Sequence, residues 1–518
     1  MARKSDRDDP LFEVRRLLRE ARGLRSLESR RAALLGAVEI ALFRLPPRQR
    51  EIIRRYDLAG ESISDVRCAL GLSRRQFFRD RRQALAVLGD HLFDENAVLT
   101  GVSAPGESHV AFTTVSESAL AGKTFARSLA QSGNPGCLET LRELAADAKQ
   151  PLECVDLLLE VAETANDYSD EPAASAAAGA AARLLGDGGI VPAAGDWLYG
   201  RLARAHAHLA KTPSDSAAYF ERAGILLRRS IAADPAALEP RCALADTLGD
   251  GALLQFRLGN FAQARAVSAE AIELIDAFRL GNRPESLEIA AVHVTIEAIV
   301  TGRTRTAIGE IGALLHQAGA AGWSSTATRL VAVLVGLHSV SGNYSEAIRR
   351  YETLAPHALR GARPGDRFGL TMETAHAYTM SGRAADALSL MGYVRPGVGC
   401  PRTVVPSWHA SAAAALTRLG EHEAALREAD EALVGYNAQN TERGLGDAHR
   451  LVATAQAKLG DTRSACEHLS EARRLTEHHG TPYGLLLMLN AEAAIVQSTA
   501  LRREAAQYAK LLHTLAES

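Results

Sequence analysis

The chain has 518 residues, more than a single ordinary hydrophobic core accommodates, so its length predicts several domains or a repeat array. Hydrophobic residues make up 47 % and aromatic residues only 5 %, and alanine is abundant, which favours helices packed through small side chains over a β-sandwich. The net charge of −2 is unevenly distributed, because residues 1–92 hold 21 Lys and Arg against 13 Asp and Glu.

Two amphipathic helices are predicted at the start of the chain. Asp9 and Pro10 open the first one. Its apolar face is formed by Leu11, Val14, Leu17 and Leu18. A second apolar face is formed by Leu34, Leu35, Val38 and Leu42. We expect both helices to pack on the motif that follows.

The next segment has the pattern of a helix-turn-helix. The apolar face of a short helix is formed by Ile63, Val66 and Leu70. Gly71 permits a sharp backbone turn, and Leu72 fills the corner. Ser73 is well placed to cap a second helix. Together these features predict two helices joined by a tight turn.

The second helix of this motif has the chemistry of a DNA-reading element. Its first turn presents free N–H groups and a positive dipole end to phosphate. Arginine and glutamine side chains can pair with base edges or hold phosphates. The predicted DNA-binding residues are Ser73, Arg74, Arg75, Gln76, Arg79, Arg81 and Arg82. The alternatives are a solvated arginine-rich face and a helix-turn-helix adapted to another role.

Residues 45–88 resemble a known family. The sequence LPPRQREI at 45–52 is followed by LGLS at 70–73. Between them, the matching positions are Leu58, Gly60, Ser62, Ile63 and Val66. This pattern is similar, without a gap, to the C-terminal DNA-binding region of bacterial sigma factors, most closely the extracytoplasmic-function type. The resemblance implies that the second helix reads a promoter element upstream of the start site.

The resemblance also assigns roles to individual residues. It implies that base contacts come from Arg74, Arg75, Gln76 and Arg79, and we expect Arg81 and Arg82 to hold phosphates. Three residues depart from the family pattern. Arg67 replaces a small alanine, Phe78 replaces a common lysine, and Arg81 replaces an apolar core residue.

A complete sigma factor is not expected from this sequence. Such a protein needs a second, upstream domain with aromatic residues that capture melted DNA. Residues 1–40 contain a single phenylalanine, Phe12, and no Trp or Tyr.

Residues 93–135 are predicted to form a linker with one short strand or helix, because they are rich in Gly, Ser and Thr. Gly122-Lys123-Thr124 resembles the end of a phosphate-binding loop. Glu117 stands where that loop needs its first glycine, so nucleotide binding is not expected.

A repeat governs the remainder of the chain. Its glycine anchors are Gly259, Gly302, Gly342, Gly382, Gly420 and Gly460, at intervals of 38 to 43 residues. Five residues after each glycine there is an alanine: Ala264, Ala307, Ala347, Ala387, Ala425 and Ala465. A seventh copy has Ala500 and Ala505 at these two positions. The spacing predicts helical hairpins, in which the glycine turns the chain and the alanine allows a close helix crossing.

These hairpins resemble tetratricopeptide repeats, with Asn260-Phe261, Asn343-Tyr344 and Tyr351 at the aromatic positions of that family. Tyr219, Phe220 and Ala223 suggest an earlier, degenerate copy. Stacked hairpins curve into a superhelix whose groove commonly holds a peptide, a protein partner or a small-molecule effector. The alternative is a plain scaffold or a surface for homodimer formation.

Catalytic, metal-binding and membrane motifs are not evident. His478-His479 has no carboxylate or cysteine at metal-ligand spacing, so a solvated loop is predicted. The six cysteines lie far apart, which favours a reducing, cytoplasmic location without a disulfide framework. No apolar run reaches the roughly 18 residues that a membrane span needs. We therefore expect a protein that is not an enzyme and needs neither cofactor nor metal.

The predicted fold is all-α, with a helix-turn-helix domain followed by a tetratricopeptide-like α-solenoid. The predicted parts are a DNA-binding domain at 1–92, a linker at 93–135, degenerate helical repeats at 136–240 and repeats of about 40 residues at 241–518. The first functional hypothesis is a transcription regulator that binds double-stranded DNA and receives a signal through the array. The second is a protein–protein adaptor that docks on RNA polymerase or an anti-sigma-type partner without touching DNA.

Overall fold

The computed structural model describes residues 45–58, 61–89, 117–132, 134–187, 192–359, 362–396 and 404–517. These residues form 23 α-helices, one π-helical segment and one 3₁₀ segment, and no strand occurs among them. The predicted all-α fold is therefore confirmed for this part of the chain. The two amphipathic helices predicted before Leu45 lie outside the described residues.

The first of two units holds the described residues up to Leu129 together with Gly136–Lys149. Its helices are α1 (Pro47–Ile52), α2 (Ile63–Leu70), α3 (Arg74–Gly89), α4 (Glu117–Gln131), whose last residues belong to the second unit, and α5 (Gly136–Asp147). A π-helical segment, Ile53–Leu58, continues α1.

Helix α4 lies in the stretch for which the sequence predicted a linker with at most one short element. It is 15 residues long. Its buried positions include Gly122, Phe125, Ala126 and Ala130, spaced by three or four residues as one helix face requires. A Cβ atom on Gly122 would approach the Leu144 side chain of α5 to 2.6 Å, so this glycine allows the two helices to pack closely. Helix α5, predicted as the start of the repeats, belongs to the first unit.

The second unit, which begins again at Gln150, is a stack of helical hairpins. Its helices are α6 (Pro151–Asp167), α7 (Glu171–Asp187), α8 (Pro192–Leu209), α9 (Pro213–Ala233), α10 (Glu239–Leu258), α11 (Phe261–Ala277), α12 (Pro284–Thr301), α13 (Thr304–Ala321), α14 (Ser324–Val340), α15 (Tyr344–Ala358), α16 (Pro364–Met380), α17 (Ala384–Met391), α18 (Val405–Leu419), α19 (His422–Ala438), α20 (Glu442–Lys458), α21 (Thr462–His479), α22 (Pro482–Ile495) and α23 (Thr499–Glu517). Each even-numbered helix pairs with the next one, which gives nine hairpins among the described residues.

Proline and glycine mark the two ends of many first helices. Proline occupies the first turn of α6, α10, α12, α16, α18 and α22, where its missing N–H has no helical partner to lose. All six anchor glycines have φ between +78° and +93°, a conformation that costs glycine little. The glycine-centred turns predicted from the sequence are confirmed.

The alanines that follow these glycines are buried at the helix crossings. Ala264, Ala347, Ala387, Ala425 and Ala465 are each 0 % exposed. Their methyl groups let the second helix of each hairpin approach the first closely. In the last hairpin, α22–α23, which is the seventh copy of the repeat predicted from the sequence, the left-handed residue is Gln497, with φ +55°, and Ala505 is buried in register.

Candidate functional site

The turn between α2 and α3 has the geometry that the sequence predicted. The Ser62 hydroxyl accepts a hydrogen bond from the backbone N–H of Asp65 and caps α2. Gly71 ends α2 with φ +63°. Arg67 donates from Nε to the carbonyl of Leu72 at 3.2 Å, so this departure from the family pattern braces the turn.

A small core holds α2 and α3 at this turn. Ile52, Val66, Leu72 and Phe77 are buried against one another. Tyr56 packs edge-on against Phe77, with ring centroids 5.4 Å apart. Through this contact, the π-helical segment that carries Tyr56 packs against α3.

Ser73 and Gln76 cap α3 reciprocally. The backbone N–H of Gln76 donates to the Ser73 hydroxyl, and the backbone N–H of Ser73 donates to Oε1 of Gln76. This is a capping box, and it engages two of the residues that the sequence assigned to DNA. In this arrangement both side chains define the start of α3.

The remaining exposed side chains of α3 form one basic face. Arg74, Arg75, Arg79 and Arg82 are exposed and lie at helical spacing. Phe78 lies among them with 43 % of its surface exposed, and Arg74 stands 6.0 Å from its ring. Arg79 is paired with Asp80 at 3.2 Å. We call these four arginines and Phe78 the α3 face.

Arg81 does not belong to the α3 face, although the sequence placed it on phosphate. Its side chain is only 19 % exposed and makes an ion pair with Asp57 at 2.5 Å. Its guanidinium also lies 4.9 Å from the Tyr56 ring centroid. The apolar residue expected at this position is thus replaced by a buried pair, which explains how an arginine is accommodated there.

The inner helices of the array carry a second concentration of charge. First helices of successive hairpins contact each other, which places them on the inner side of the stack. Arg201 of α8 is paired with three carboxylates of α6: Asp156, Glu160 and Glu163. Arg204, one helical turn later, is paired with Asp250 of α10 at 2.8 Å. The ion pairs therefore link α6, α8 and α10.

The same arrangement continues along the array. Arg329 of α14 is paired with Glu288 of α12 and with Asp366 of α16. Arg363, just before α16, is paired with Asp366 at 3.0 Å and with Glu288 at 3.3 Å. Although burial opposes it, the Arg329 and Arg363 guanidinium groups hold the pKa of Asp366 below its usual value. We call these linked pairs, from Arg201 to Arg363, the ion-pair ladder.

The C-terminal hairpins pack back onto the middle of the array. Helix α20 contacts α10, α22 contacts α12, and α23 contacts α13. Gly259 lies against His479 so closely that a Cβ atom would stand 2.8 Å from the His479 carbonyl oxygen. Gly302 lies in the same way against Leu515 of α23. Successive turns of the superhelix therefore touch.

Tyr483 is central to these contacts. Its hydroxyl lies 3.0 Å from the hydroxyl of Tyr344 and 3.1 Å from Nε2 of His376. The His376 ring also meets the Tyr483 ring edge-on. Burial lowers the pKa of His376 to about 4, so its ring is neutral near pH 7.

An open groove lies between α19, α20 and α21. Its walls combine apolar and polar side chains, and Val434 is 67 % exposed there. The lining also includes Leu445, Asn437, Glu471 and Arg474. Such a mixed surface suits a peptide segment of a protein partner. We call it the α19–α21 groove.

Other sequence expectations can be placed on the described residues. His478 and His479 form the last turn of α21 and are not in a loop, and His479 is paired with Glu442 at 2.5 Å. No group of three or more His, Cys, Asp or Glu in the described ranges has the arrangement of a metal site. Among those same ranges, no helix is long and apolar enough to cross a bilayer.

Comparison with known proteins gives structural similarity only. No family model matches the sequence, and no curated protein matches it. The Cut9–Hcn1 hetero-tetramer of APC/C matches at 13 % identity over 96 % of this chain and 98 % of that one, with a TM-score of 0.44. Yeast Tom70 matches at 13 % over 86 % and 93 %, with a TM-score of 0.36. A Pyrococcus horikoshii signal-transduction ATPase with a tetratricopeptide repeat sensor matches at 12 % over 96 % and 67 %, with a TM-score of 0.34.

By its fold, the protein is a helical-repeat protein with a small helical unit before the repeats. The described residues between 151 and 517 form a solenoid of stacked helical hairpins, and the unit that precedes them in the sequence presents the α3 face. The ion-pair ladder was not foreseen from the sequence. Its signal is nevertheless visible in Asp156, Glu160 and Glu163, which fall on one face of α6.

Proposed function

We propose that this chain is a protein–protein interaction scaffold, an adaptor that brings a protein partner of the array to RNA polymerase. The observation that carries the proposal is the stack of nine hairpins formed by the described residues between 151 and 517. A stack of this length offers far more surface than is needed to stabilise a small helical unit. The α19–α21 groove, with the exposed Val434, is the part of that surface best suited to a partner segment.

In this proposal the unit around α3 docks on polymerase through protein contacts. Phe78, 43 % exposed on the α3 face, offers such a contact, because aromatic residues are enriched at protein interfaces. The resemblance of residues 45–88 to the sigma-factor family supports this choice of partner. Since Gln76 and Ser73 cap α3 and Arg81 is paired with Asp57, fewer side chains remain for base contacts than the family pattern implies.

The test uses the full chain and purified bacterial RNA polymerase core enzyme. We expect direct binding that persists after Arg74, Arg75 and Arg79 are together replaced by alanine, because apolar contacts of the unit remain. Failure of the unmodified chain to bind polymerase would overturn the docking role. Val434→Glu serves as a separate variant, which we expect to leave polymerase binding intact and to weaken capture of an array partner.

A second candidate function is direct DNA binding by a transcription regulator. It is favoured by one specific observation, namely that Arg74, Arg75, Arg79 and Arg82 share the exposed α3 face. In this case the full chain binds duplex DNA with an affinity that falls steeply as salt rises. The triple alanine variant then loses DNA binding. Genome-wide mapping of bound sites distinguishes this function from the adaptor and names the targets.

A further inference from the structure

The α19–α21 groove is built from three helices of two neighbouring hairpins. Helices α19 and α21 both pack on α20. The apolar residues of the lining are Leu433 and Val434 of α19, Leu445 of α20 and Leu475 of α21. The volume of the groove is about 410 Å³, within the range of roughly 300–1,000 Å³ that is usual for ligand-binding clefts. It can therefore hold a short stretch of a bound chain.

The charged side chains of this lining are paired within the chain. Glu471 and Arg474 form an ion pair on α21 at 2.6 Å. Glu442, in the first turn of α20, lies 2.5 Å from Nε2 of His479. A ligand that enters the groove therefore meets charges that already have partners.

The remaining titratable side chain of the lining, His449, is also paired. Its Nδ1 lies 2.8 Å from Nδ1 of His468 on α21, and the two ring centroids are 5.0 Å apart. Burial holds the pKa of His449 below its usual value, and repulsion from His468 lowers it further, so the ring is neutral near pH 7. Because a charged ligand side chain would find no free counter-charge among these lining residues, the groove favours uncharged side chains.

Two amide side chains of the lining are free to bond a ligand. Asn437 of α19 and Asn440 of the turn that follows are both exposed, and neither amide has a hydrogen-bond partner among the described residues. The backbone N–H of Asn440 donates to the carbonyl oxygen of Asn437 at 3.0 Å, so the turn fixes the two residues relative to each other. Asn440 has φ +50°, a conformation that asparagine tolerates better than most residues. The turn therefore accounts for the asparagine at position 440 and leaves Asn437 unexplained.

An asparagine amide matches the peptide unit of an extended chain. Like a peptide unit, it carries both an N–H donor and a C=O acceptor. A helical ligand has these backbone groups paired within the helix, whereas an extended segment has them free. A turn closed by a hydrogen bond between its first and fourth residues keeps their Cα atoms within about 7 Å, close to the spacing of about 6.6 Å between alternate residues of an extended chain. Asn437 and Asn440 can therefore reach two peptide units of one segment.

We propose that the α19–α21 groove binds an extended peptide segment with uncharged side chains. The Asn437 and Asn440 amides pair with its backbone, and one of its apolar side chains packs on Val434, which is 67 % exposed. This site rests on the proposed scaffold function and specifies which kind of partner segment the array takes.

The experiment is selection of peptides from a phage-displayed random library on the full chain, followed by titration of the selected peptides by fluorescence anisotropy. We expect these peptides to share an apolar residue flanked by uncharged ones. Val434→Glu should abolish their binding, because it places a charge where the apolar side chain packs. Asn437→Ala and Asn440→Gly should each weaken binding about fivefold, since each removes hydrogen bonds to the peptide backbone.

Asn440→Gly separates binding from folding, because glycine adopts φ +50° without strain. Gln497→Gly is the matched control, since it makes the same kind of change at an exposed left-handed position outside the groove. We expect it to bind the peptides as the unmodified chain does. Methylation of each peptide nitrogen in turn should weaken binding at one position or more, and this effect should be smaller in Asn437→Ala.

This assignment is overturned if the library yields no binding peptide, if the selected peptides share a charged residue, or if circular dichroism shows that they become helical on binding. It is also overturned if Val434→Glu, or both asparagine variants, bind as tightly as the unmodified chain. Peptides that ignore Val434→Glu occupy another surface of the array, which leaves the scaffold function standing. RNA polymerase binding is measured separately, so its failure is distinguished from failure of this site.

Discussion

The hydroxyl of Tyr483 lies 3.0 Å from that of Tyr344, although the two residues are 139 positions apart in the sequence. This contact joins the first turn of α22 to the first residue of α15, and Nε2 of His376 lies 3.1 Å from the Tyr483 hydroxyl. It is one of the contacts between the C-terminal hairpins and the middle of the array. Removing it therefore tests how much these contacts contribute to the free energy of unfolding.

Tyr483→Phe keeps the ring and removes both hydrogen bonds. Because the Tyr344 hydroxyl and His376 would then lack a partner, we expect the free energy of unfolding to fall by about 1–2 kcal/mol. Urea unfolding followed by circular dichroism measures this, with faster amide exchange expected in α22. Tyr393→Phe is the control, since Tyr393 is 78 % exposed and we expect no measurable change. Equal stability of both variants would show that the contact contributes nothing.

Arg81→Ala tests whether this residue supports the unit or contacts a nucleic acid. Loss of its ion pair leaves Asp57 partly buried without a partner, so we expect destabilisation of about 2 kcal/mol. Arg82→Ala, on the exposed face one residue later, should change stability by less than about 0.5 kcal/mol. Thermal unfolding of both variants provides the measurement. If Arg81→Ala unfolds like Arg82→Ala, the structural role of Arg81 is refuted.

Glu373 gives the stability of the array a defined pH dependence. The Glu373 side chain is exposed on α16, but the protein around its carboxylate limits its contact with water and raises its folded pKa to about 7, above the value near 4.5 of an unfolded glutamate. The folded state thus binds the proton more tightly, and stability from this group is present below about pH 4.5 and lost as the pH rises through about 7.

We therefore expect Glu373→Gln to stabilise the chain more at about pH 8 than at about pH 5. Urea unfolding at both pH values measures the difference. Glu423→Gln replaces an exposed carboxylate on α19 and corrects for general charge effects. A stabilisation by Glu373→Gln that is the same at both pH values would contradict the raised pKa.

At two equivalent left-handed positions, we expect substitutions to change the stability in opposite directions. Gly420, with φ +85°, ends α18, and Gln497, with φ +55°, follows α22. Gly420→Ala should destabilise by about 1 kcal/mol, whereas Gln497→Gly should stabilise by a similar amount. Gly309→Ala, within α13 and with open space around it, is expected to stabilise because its φ is negative. Chemical unfolding distinguishes the signs, and a stabilising Gly420→Ala would refute the argument.

Local features of this molecule could be predicted from the sequence. The turns at Gly71 and at the six anchor glycines are short-range, since a glycine after an apolar helical run specifies where the chain must bend. The buried alanines five residues later follow from the same spacing. The Ser73–Gln76 capping box was also readable, although the sequence interpretation assigned Gln76 to bases.

Long-range features could not be predicted in the same way. The pairing of Arg81 with Asp57 depends on the path of the π-helical segment, which has no clear sequence signature. The contact of Tyr483 with Tyr344 depends on the accumulated curvature of several hairpins. The small angles between successive helices add up along the array. The sequence of one superhelical turn therefore does not indicate which residues of the next turn it will contact. The position of Arg443 beside Phe256 has the same origin.

The packing of the C-terminal hairpins onto the middle of the array limits where a hairpin can be inserted or deleted. Helices α20, α22 and α23 meet α10, α12 and α13, an offset of ten helices in every case. In an open solenoid, one hairpin can be duplicated or deleted at the cost of a single interface. Here the insertion of one hairpin between α14 and α19 would shift every one of these partnerships at once. The number of repeats in this stretch is therefore constrained by geometry, whereas loop insertions that leave the offset intact are tolerated.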